Sequence, residues 1–266
     1  MKPQTFLPLI AVVSQMVFFA SGANAQVFIG FEPNEVTTPS PGYTVGNLGT
    51  QGGWVSTLNN GAGSGTSTIT VSNAQAYAGT QSLLIYDNNT SNRPAASYTL
   101  GSNISSGTFS DAMLQLAGTS DATFYTNFYT TSGTATFSLW YTPAANSGTI
   151  TLYRGTGGAS LGSYTANLST TFDSWATLGI AFNETTNTAS VLLNGAQIIT
   201  SSDTATNWTI GKVELSVGYS SGTNLGYYFD SLSVVPEPSS LSLVILACGM
   251  GMLVIRRHSK WRVSRD

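Results

Sequence analysis

Alternation of apolar and polar residues is the feature that most constrains the fold of this 266-residue chain. In the stretch 134–141, Phe137 and Tyr141 fall on one side of an extended backbone, and Thr136 and Ser138 fall on the other. A helix would instead repeat its apolar positions every three or four residues. The alternation therefore predicts half-buried β-strands. It recurs in the stretches 82–87, 122–130, 148–154, 175–183, 188–193 and 213–219.

Runs of Gly, Asn, Ser and Thr separate these stretches at intervals of about ten residues. Asn194-Gly195 stands between 188–193 and 197–200 and is a strong hairpin signal, because both residues of a type I′ turn need a positive φ. About twelve or thirteen strands can be recognised in this way, with no convincing helix and no repeat of fixed length. The sequence predicts an all-β fold, an antiparallel two-sheet jelly-roll sandwich.

The amino terminus has the pattern of a secretory signal peptide. Lys2 precedes an apolar stretch at 6–20, and Ala23 and Ala25 occupy the two positions that a signal peptidase reads. The mature chain should therefore begin at Gln26. An uncleaved membrane anchor is the alternative, but the apolar stretch is short for one.

A second apolar run, 241–255, stands near the carboxyl terminus. At about 1.5 Å per residue, a helix of this length reaches roughly 22 Å, less than the ~30 Å hydrocarbon core of a membrane. Arg256 and Arg257 follow directly, and the positive-inside rule would keep them in the cytoplasm. The run therefore predicts a short hydrophobic helix that holds the chain in the inner membrane, with the preceding residues outside the cytoplasm.

The order of these features resembles the PEP-CTERM sorting signal of Gram-negative bacteria: a Pro-Glu-Pro motif, a short apolar helix and a pair of arginines. The matching residues are Pro236, Glu237, Pro238, Arg256 and Arg257. The resemblance implies recognition by an exosortase, a membrane-embedded transpeptidase-like enzyme, with cleavage near the motif. It also implies a link to exopolysaccharide. An ordinary carboxyl-terminal membrane anchor is the alternative.

Four segments are expected: a signal peptide at 1–25, a β-sandwich at 26–235, the sorting signal at 236–259 and a basic tail at 260–266. We expect the protein to be exported and held transiently in the inner membrane. After processing it would reach the outer surface or an exopolysaccharide matrix. The expected partners are the exosortase and exopolysaccharide, and the expected role is structural or adhesive.

Charge and residue content exclude several functions for the segment 26–235. Ten acidic residues stand against three basic ones, a net charge of −7, which argues against binding to nucleic acid. The single cysteine, Cys248, and the single histidine, His258, lie outside this segment. Disulfides, zinc sites and Ser-His or Cys-His catalysis are therefore excluded there. No cofactor-binding motif is present either.

Parts of the segment resemble concanavalin A-like, laminin-G-type sandwiches. Residues 172–198 are similar to their W-x-x-L…N-T-A-x-V-x-L-N-G hairpin, 229–234 to their closing strand, and Phe31-Glu32 to their opening strand. The resemblance implies a jelly roll, a fold that serves lectins, adhesins, glycosidases and spacers alike. The alternative function is therefore a carbohydrate-binding module that uses a concave sheet face. A glycan-active enzyme is the third hypothesis.

The acidic residues are scattered along the segment. Glycoside hydrolysis needs two carboxylates about 5–10 Å apart. Glycosidases of the fold that the chain resembles usually carry a Glu-x-Asp-x-x-Glu cluster on one strand, and no such cluster occurs. On this basis we expect that the protein is not an enzyme.

Trp140 is the candidate glycan-binding residue. Its position in the alternation groups it with Thr136 and Ser138, opposite Phe137 and Leu139. It should therefore face solvent or a groove, where an aromatic ring can stack on a sugar. The alternative is that Trp140 belongs to the sandwich core, as we expect for most of the other aromatic residues.

Glu32 and Asp230 are the candidate ligands of a structural calcium ion, which the resemblance implies where the first and last strands meet. Asp230 shares its face with Leu232 and Val234, and an isolated buried carboxylate needs a cation, a base or several hydrogen-bond donors. With so few bases available, a hard cation is a reasonable partner. The alternatives are a bulge that turns Asp230 outward and a set of backbone N–H donors.

Overall fold

The computed structural model describes residues 27–35, 42–58, 66–88, 93–116, 123–144, 147–166, 172–218 and 224–237. The signal peptide, the apolar run 241–255, Arg256, Arg257 and the basic tail lie outside these ranges and stay predictions. Within the ranges, no helix has the length and apolar character needed to cross a bilayer. Gln26–Val235 forms one compact unit.

Sixteen strands make up the described part of the chain. They are β1 (Val27–Ile29), β2 (Gly46–Asn47), β3 (Trp54–Thr57), β4 (Thr68–Ser72), β5 (Ser82–Asp87), β6 (Ala95–Ile104), β7 (Ser106–Gln115), β8 (Phe124–Tyr129), β9 (Ala135–Ala144), β10 (Ser147–Arg154), β11 (Ser160–Ala166), β12 (Ala176–Asn183), β13 (Thr188–Leu193), β14 (Ala196–Ser202), β15 (Ile210–Val217) and β16 (Leu225–Pro236). The all-β prediction is confirmed. The count exceeds twelve or thirteen partly because β1 and β2 have only three and two residues, too few to show an alternation.

The strands form two antiparallel sheets. The nine-stranded sheet has the order β14-β13-β12-β7-β16-β5-β4-β2, and β1 also pairs with β16. The seven-stranded sheet has the order β11-β10-β9-β8-β15-β6-β3. Consecutive strands β8, β9, β10 and β11 are neighbours, whereas β15 crosses over to lie between β6 and β8. This order brings residues distant in sequence side by side on the seven-stranded sheet.

The two sheets enclose an aromatic core. Phe109 of the nine-stranded sheet meets Phe128 of the seven-stranded sheet edge to face, with ring centroids 4.9 Å apart. Phe124 and Phe229 make a similar contact across the sandwich at 6.4 Å. All four rings are almost fully buried. Burying apolar surface of this size is the main favourable contribution to the stability of a disulfide-free domain.

The hairpin signal at Asn194-Gly195 is confirmed. The two residues connect β13 to β14 with φ angles of 50° and 78°, as a type I′ turn requires. Asn194 also accepts a hydrogen bond on its side-chain oxygen from the backbone N–H of Thr177 at 2.8 Å. The turn therefore fixes the register of the hairpin and ties it to the start of β12.

The last strand, β16, changes its partner at a bulge. It pairs with β5 up to Phe229↔Leu83 and with β1 from Leu232↔Ile29. Phe229 and Leu232 are both buried although they are three positions apart, and Ser231 between them has a φ of +53°. The extra residue resets which side chains face the core. The first and last strands therefore meet beside Asp230, which is fully buried.

Candidate functional site

Three aromatic side chains line up on the outer face of the seven-stranded sheet. Tyr125 of β8 and Trp140 of β9 are paired residues, and their rings meet edge to face with centroids 4.7 Å apart. Tyr153 of β10 lies on the other side of Trp140, also at 4.7 Å. All three are partly exposed. We call Tyr125, Trp140 and Tyr153 the aromatic row. The prediction that Trp140 faces away from the core is confirmed.

Two contacts hold Trp140 in place within the row. Its indole Nε1 donates a hydrogen bond to Oδ1 of Asn127 at 3.3 Å. On the ring's other edge lies Gly157 of the β10–β11 turn, where a Cβ atom would come within 2.2 Å of the indole Cη2. Gly157 has a φ of +77°, so glycine suits this position for two reasons. The ring is therefore presented in one orientation.

A carboxylate stands beside the row. Oε1 of Glu214 on β15 accepts hydrogen bonds from the Tyr129 hydroxyl at 3.0 Å and from Nδ2 of Asn127 at 3.2 Å. We call these three residues the Glu214 cluster. Burial raises the pKa of the Tyr129 phenol well above its usual range, and the charge of Glu214 raises it further. The phenol therefore stays protonated and keeps donating to the carboxylate. Asn127 links the cluster to the row through its bond to Trp140.

Two cations also lie on this face. The guanidinium of Arg93 sits 4.6 Å from the centre of the Tyr125 ring. The ammonium of Lys212 sits 4.8 Å from the centre of the Tyr129 ring. These distances are typical of cation–π contacts. The surface thus combines exposed aromatic rings, one carboxylate, an amide and two cations. Among the strand residues that the structure describes in this sheet, Glu214 is the single carboxylate.

Sequence reasoning found Trp140 but missed its neighbours in the row and the whole Glu214 cluster. Tyr125 and Tyr153 were expected in the core or left unassigned, and their relation to Trp140 depends on the register of β8, β9 and β10. Glu214 did carry a signal, because it lies between the inward-facing Val213 and Leu215. A lone acid in an outward position of a central strand points to a polar site on the sheet face.

The carboxylates of Glu32 and Asp230 bind one loop through hydrogen bonds. Oδ2 of Asp230 accepts from the backbone N–H groups of Tyr77 and Ala78 at 2.8 and 3.0 Å, and Oδ1 accepts from Ser231 at 2.6 Å. Three N–H groups therefore satisfy this buried carboxylate, which is one of the alternatives that the sequence left open.

The Glu32 carboxylate is satisfied in the same way. Oε1 accepts from the backbone N–H groups of Thr80 and Gln81 at 2.8 and 3.0 Å, and Oε2 accepts from the Thr80 hydroxyl at 2.8 Å. Donors thus point at every oxygen of both carboxylates, so the two carboxylates are satisfied without a cation. The described residues include no group of three or more acids, histidines or cysteines arranged to hold a metal. The calcium ion stays a prediction.

Asp111, on β7 beside β16, is a buried acid that sequence reasoning also missed. Neither of its side-chain oxygens makes a hydrogen bond of acceptable geometry with the described residues. Burial and the nearby charge of Asp230 raise its pKa well above the usual range, more than the backbone N–H groups of Asp230 and Ala112 lower it. Burial also raises the pKa of Asp230 itself to about 6. The sequence did contain a signal that Asp111 is buried, since it falls on the same face of its strand as the core residues Phe109 and Met113.

A separate surface depression of about 470 Å³ lies away from the row. Trp175, Asp173, Leu114 and Tyr228 line it. Trp175 also packs against Tyr77, with ring centroids 5.8 Å apart. This depression combines a tryptophan with an acid, so it provides a natural comparison for the row in binding experiments.

No protein-family model matches the chain, and a search of curated proteins found no match. Among solved structures, the Bacillus licheniformis β-glucanase aligns over 81% of this chain and 100% of its own, with a TM-score of 0.51 and 12% identity. A native glycosidic hydrolase aligns over 81% of this chain and 97% of its own, with a TM-score of 0.52 and 11% identity. A sialidase aligns over 70% of this chain but 17% of its own, with a TM-score of 0.49 and 10% identity.

The expectation that the protein is not an enzyme is contradicted by these neighbours. The β-glucanase and the glycosidic hydrolase, both with TM-scores above 0.5, are named for enzymes, and each aligns over nearly its whole length. That expectation assumed that the spacing of acids in the sequence would reveal a catalytic pair, whereas distant strands can bring acids together. At 11% and 12% identity the likeness establishes the fold alone. The chain therefore has a jelly-roll sandwich fold like that of the two enzymes.

Proposed function

We propose that the protein binds a glycan chain along the aromatic row of the seven-stranded sheet. The observation that carries the proposal is Trp140, held by Asn127 and flanked by Tyr125 and Tyr153 on a partly exposed sheet face. The jelly-roll neighbours named for glucan or glycoside cleavage support the same ligand class. This corresponds to the carbohydrate-binding alternative rather than to a purely structural role.

The chemistry of the face suits a sugar polymer. The apolar C–H face of a pyranose ring can pack on an aromatic ring while the hydroxyls at its edge reach polar groups. The row crosses three neighbouring strands, so it is roughly 10 Å long at the usual strand spacing and accommodates about two sugar rings. The Glu214 cluster lies beside it and offers an acceptor and an amide to the hydroxyls.

A glycan-panel experiment tests the proposal. The purified protein and a Tyr125→Ala/Tyr153→Ala variant are titrated with soluble polysaccharides of neutral and acidic type. Phe28→Ala is the matched control, because Phe28 is 55% exposed and belongs to the nine-stranded sheet. We expect wild type and control to bind at least one polysaccharide equally, and the double variant to bind it at least tenfold more weakly. Equal binding by all three proteins would contradict the proposal.

Cleavage of the bound glycan on the same face is the second candidate. The observation that favours it is the carboxylate of Glu214, which is positioned beside the row by two hydrogen bonds. Because Glu214 is the single carboxylate among the described strands of this sheet, these strands do not assemble the carboxylate pair that hydrolysis needs, and release of unsaturated products from each bound polysaccharide measures the cleavage. If turnover is found, Glu214→Gln should remove it while leaving binding within a few-fold of wild type. Turnover unaffected by that variant would place the chemistry elsewhere.

The proposal includes where the protein acts. Export to the cell surface, with exosortase processing at the Pro-Glu-Pro motif, rests on the sequence features of the two ends. A glycan-binding face is consistent with delivery to an exopolysaccharide matrix, since the protein would then be held there by its ligand. Fractionation of cells, with the mass of the surface-located form, tests the location.

A further inference from the structure

Two of the three basic residues in the segment 26–235 lie on the same sheet face as the aromatic row. The segment 26–235 has three basic residues against ten acidic ones. Two of the three, Arg93 and Lys212, lie over Tyr125 and Tyr129 on the outer face of the seven-stranded sheet. If the three bases were distributed at random over the surface, we would not expect two of them to lie on the same face as the aromatic row.

These two cations have no ion-pair partner among the described residues. The third base, Arg154, provides the comparison. Its Nη2 lies 2.7 Å from Oδ2 of Asp203, and its Nε donates to the same oxygen at 3.0 Å. Arg93 and Lys212 instead rest on aromatic faces, with their charge unneutralised by contact. The positive field of Arg93 also reaches Tyr129, whose phenol pKa it lowers slightly against the larger raising effects.

Glu214 carries the opposing negative charge on this face. Its Oε1 is occupied by the Tyr129 hydroxyl and the Asn127 amide, which disperse its charge into the sheet. The face therefore carries two cations against one hydrogen-bonded carboxylate. A neutral glycan would make no use of this excess, whereas an acidic glycan would.

Resting on the proposed function, we infer that the glycan bound by the aromatic row is a polyuronate, whose carboxylates are held by Arg93 and Lys212. A planar guanidinium pairs with a carboxylate through two parallel N–H···O bonds, and an ammonium supplies a second, less directional contact. The rings of Trp140 and Tyr153, which carry no cation on their faces, would pack against the sugar rings. The cations then select for charge, and the row supplies affinity common to neutral and acidic sugars.

The test uses one polymer in two charge states. Purified full-length protein is titrated with a soluble polyuronate and with the same polymer after chemical reduction of its carboxyl groups. We expect the polyuronate to bind at least roughly tenfold more tightly, and this preference to shrink as salt rises from low to high concentration. Arg93→Gln and Lys212→Gln should each weaken polyuronate binding several-fold, and weaken binding to the reduced polymer by a smaller factor.

Arg154→Gln is the control, because it removes one positive charge that is already paired with the carboxylate of Asp203. Its polyuronate affinity should equal that of wild type. Equal affinity for the two polymers would overturn the inference of a polyuronate ligand, but it would not contradict the proposal that the row binds a glycan. Tighter binding to a sulfated neutral polymer than to the polyuronate would also overturn the choice of carboxylate. Absence of binding to every polymer would instead contradict the proposed function itself.

Discussion

The hydroxyl of Tyr129 donates a 3.0 Å hydrogen bond to the carboxylate of Glu214, across the pairing of β8 with β15. Asn127 donates to the same oxygen and accepts from the indole of Trp140. A chain of hydrogen bonds thus connects a charged group on one strand to the central ring of the aromatic row two strands away. The orientation of Trp140 therefore depends on residues from three strands.

This relationship predicts how Tyr129 titrates. Its pKa is raised because burial and the negative charge of Glu214 both disfavour the phenolate. Glu214→Gln removes the negative charge and should lower the pKa of Tyr129, while Arg93→Gln removes the cation that lowers this pKa and should raise it. NMR of ring-labelled tyrosine against pH measures both. A Tyr129 pKa indifferent to Glu214→Gln would mean that burial alone sets it.

A pair of glycine variants tests whether Trp140 must be held in one orientation. Gly157→Ala places a Cβ within 2.2 Å of the Trp140 ring, whereas Gly155→Ala meets no atom within 4 Å. Both positions have positive φ, 77° and 62°, so both variants should lose of order 1–3 kcal/mol of stability. Only Gly157→Ala should also weaken glycan binding, by roughly several-fold. Matching affinities in the two variants would show that the position of the indole ring is unimportant.

The buried pair Asp111 and Asp230 predicts a stability that falls as pH rises. The pKa values of both carboxyls are raised in the folded state, that of Asp230 to about 6 and that of Asp111 well above its usual range, so the folded state holds more protons than the unfolded state above about pH 4. The free energy of unfolding should therefore decline from about pH 4 through pH 6 and beyond. Each group contributes at most about 1.4 kcal/mol per pH unit.

Asp111→Asn removes one of the two contributions to this pH dependence. The variant should gain stability over wild type at pH 7.5 and gain less, or none, at pH 4.5. The exposed Asp173→Asn is the control and should leave the curve unchanged. Denaturant unfolding at several pH values measures the difference. A variant that is less stable than wild type at pH 7.5 would mean that the Asp111 carboxylate is needed in its charged form.

The sorting signal gives a prediction in cells. Replacing Pro236, Glu237 and Pro238 with alanine should trap full-length protein in the inner membrane, because the exosortase would no longer cleave it. Replacing Arg256 and Arg257 with glutamine removes the cytoplasmic stop and should leave unprocessed or mislocalised protein. Cell fractionation shows where each variant is located, and the mass of the protein shows whether it has been cleaved. Surface delivery of the first variant at wild-type mass and yield would refute the sorting hypothesis.

The sequence predicted the fold well where the information was local. Alternation placed Phe137 inside and Trp140 outside, and Asn194-Gly195 marked a turn whose φ angles require those residues. It failed where the outcome depends on how strands pair. The contact of Trp140 with Tyr153 depends on the register of β9 with β10. The apolar-polar alternation of the last strand continues through Asp230 in the sequence, whereas in the structure the bulge at Ser231 interrupts it.

The functional prediction failed for the same reason. The Glu214 cluster joins β8 to β15, and about 85 residues separate Tyr129 from Glu214. A search for acids closely spaced in sequence cannot find a single acid whose hydrogen-bond partners lie on another strand, and the expectation of no enzymatic role rested on that search. The two cations also carried no signal in sequence, since Arg93 and Lys212 are separated by more than half of the sandwich. Only the crossover of β15 beside β8 brings them to one face.

The most direct test of glycan binding by the row compares two tryptophan variants in glycan titrations. Trp140 lies in the aromatic row and Trp175 lines the separate depression, so Trp140→Ala and Trp175→Ala remove equal side chains from different surfaces. Binding to the row predicts that Trp140→Ala weakens glycan affinity by about 1–2 kcal/mol with the fold intact, and that Trp175→Ala leaves it unchanged. Loss of binding in Trp175→Ala, with wild-type affinity in Trp140→Ala, would contradict it.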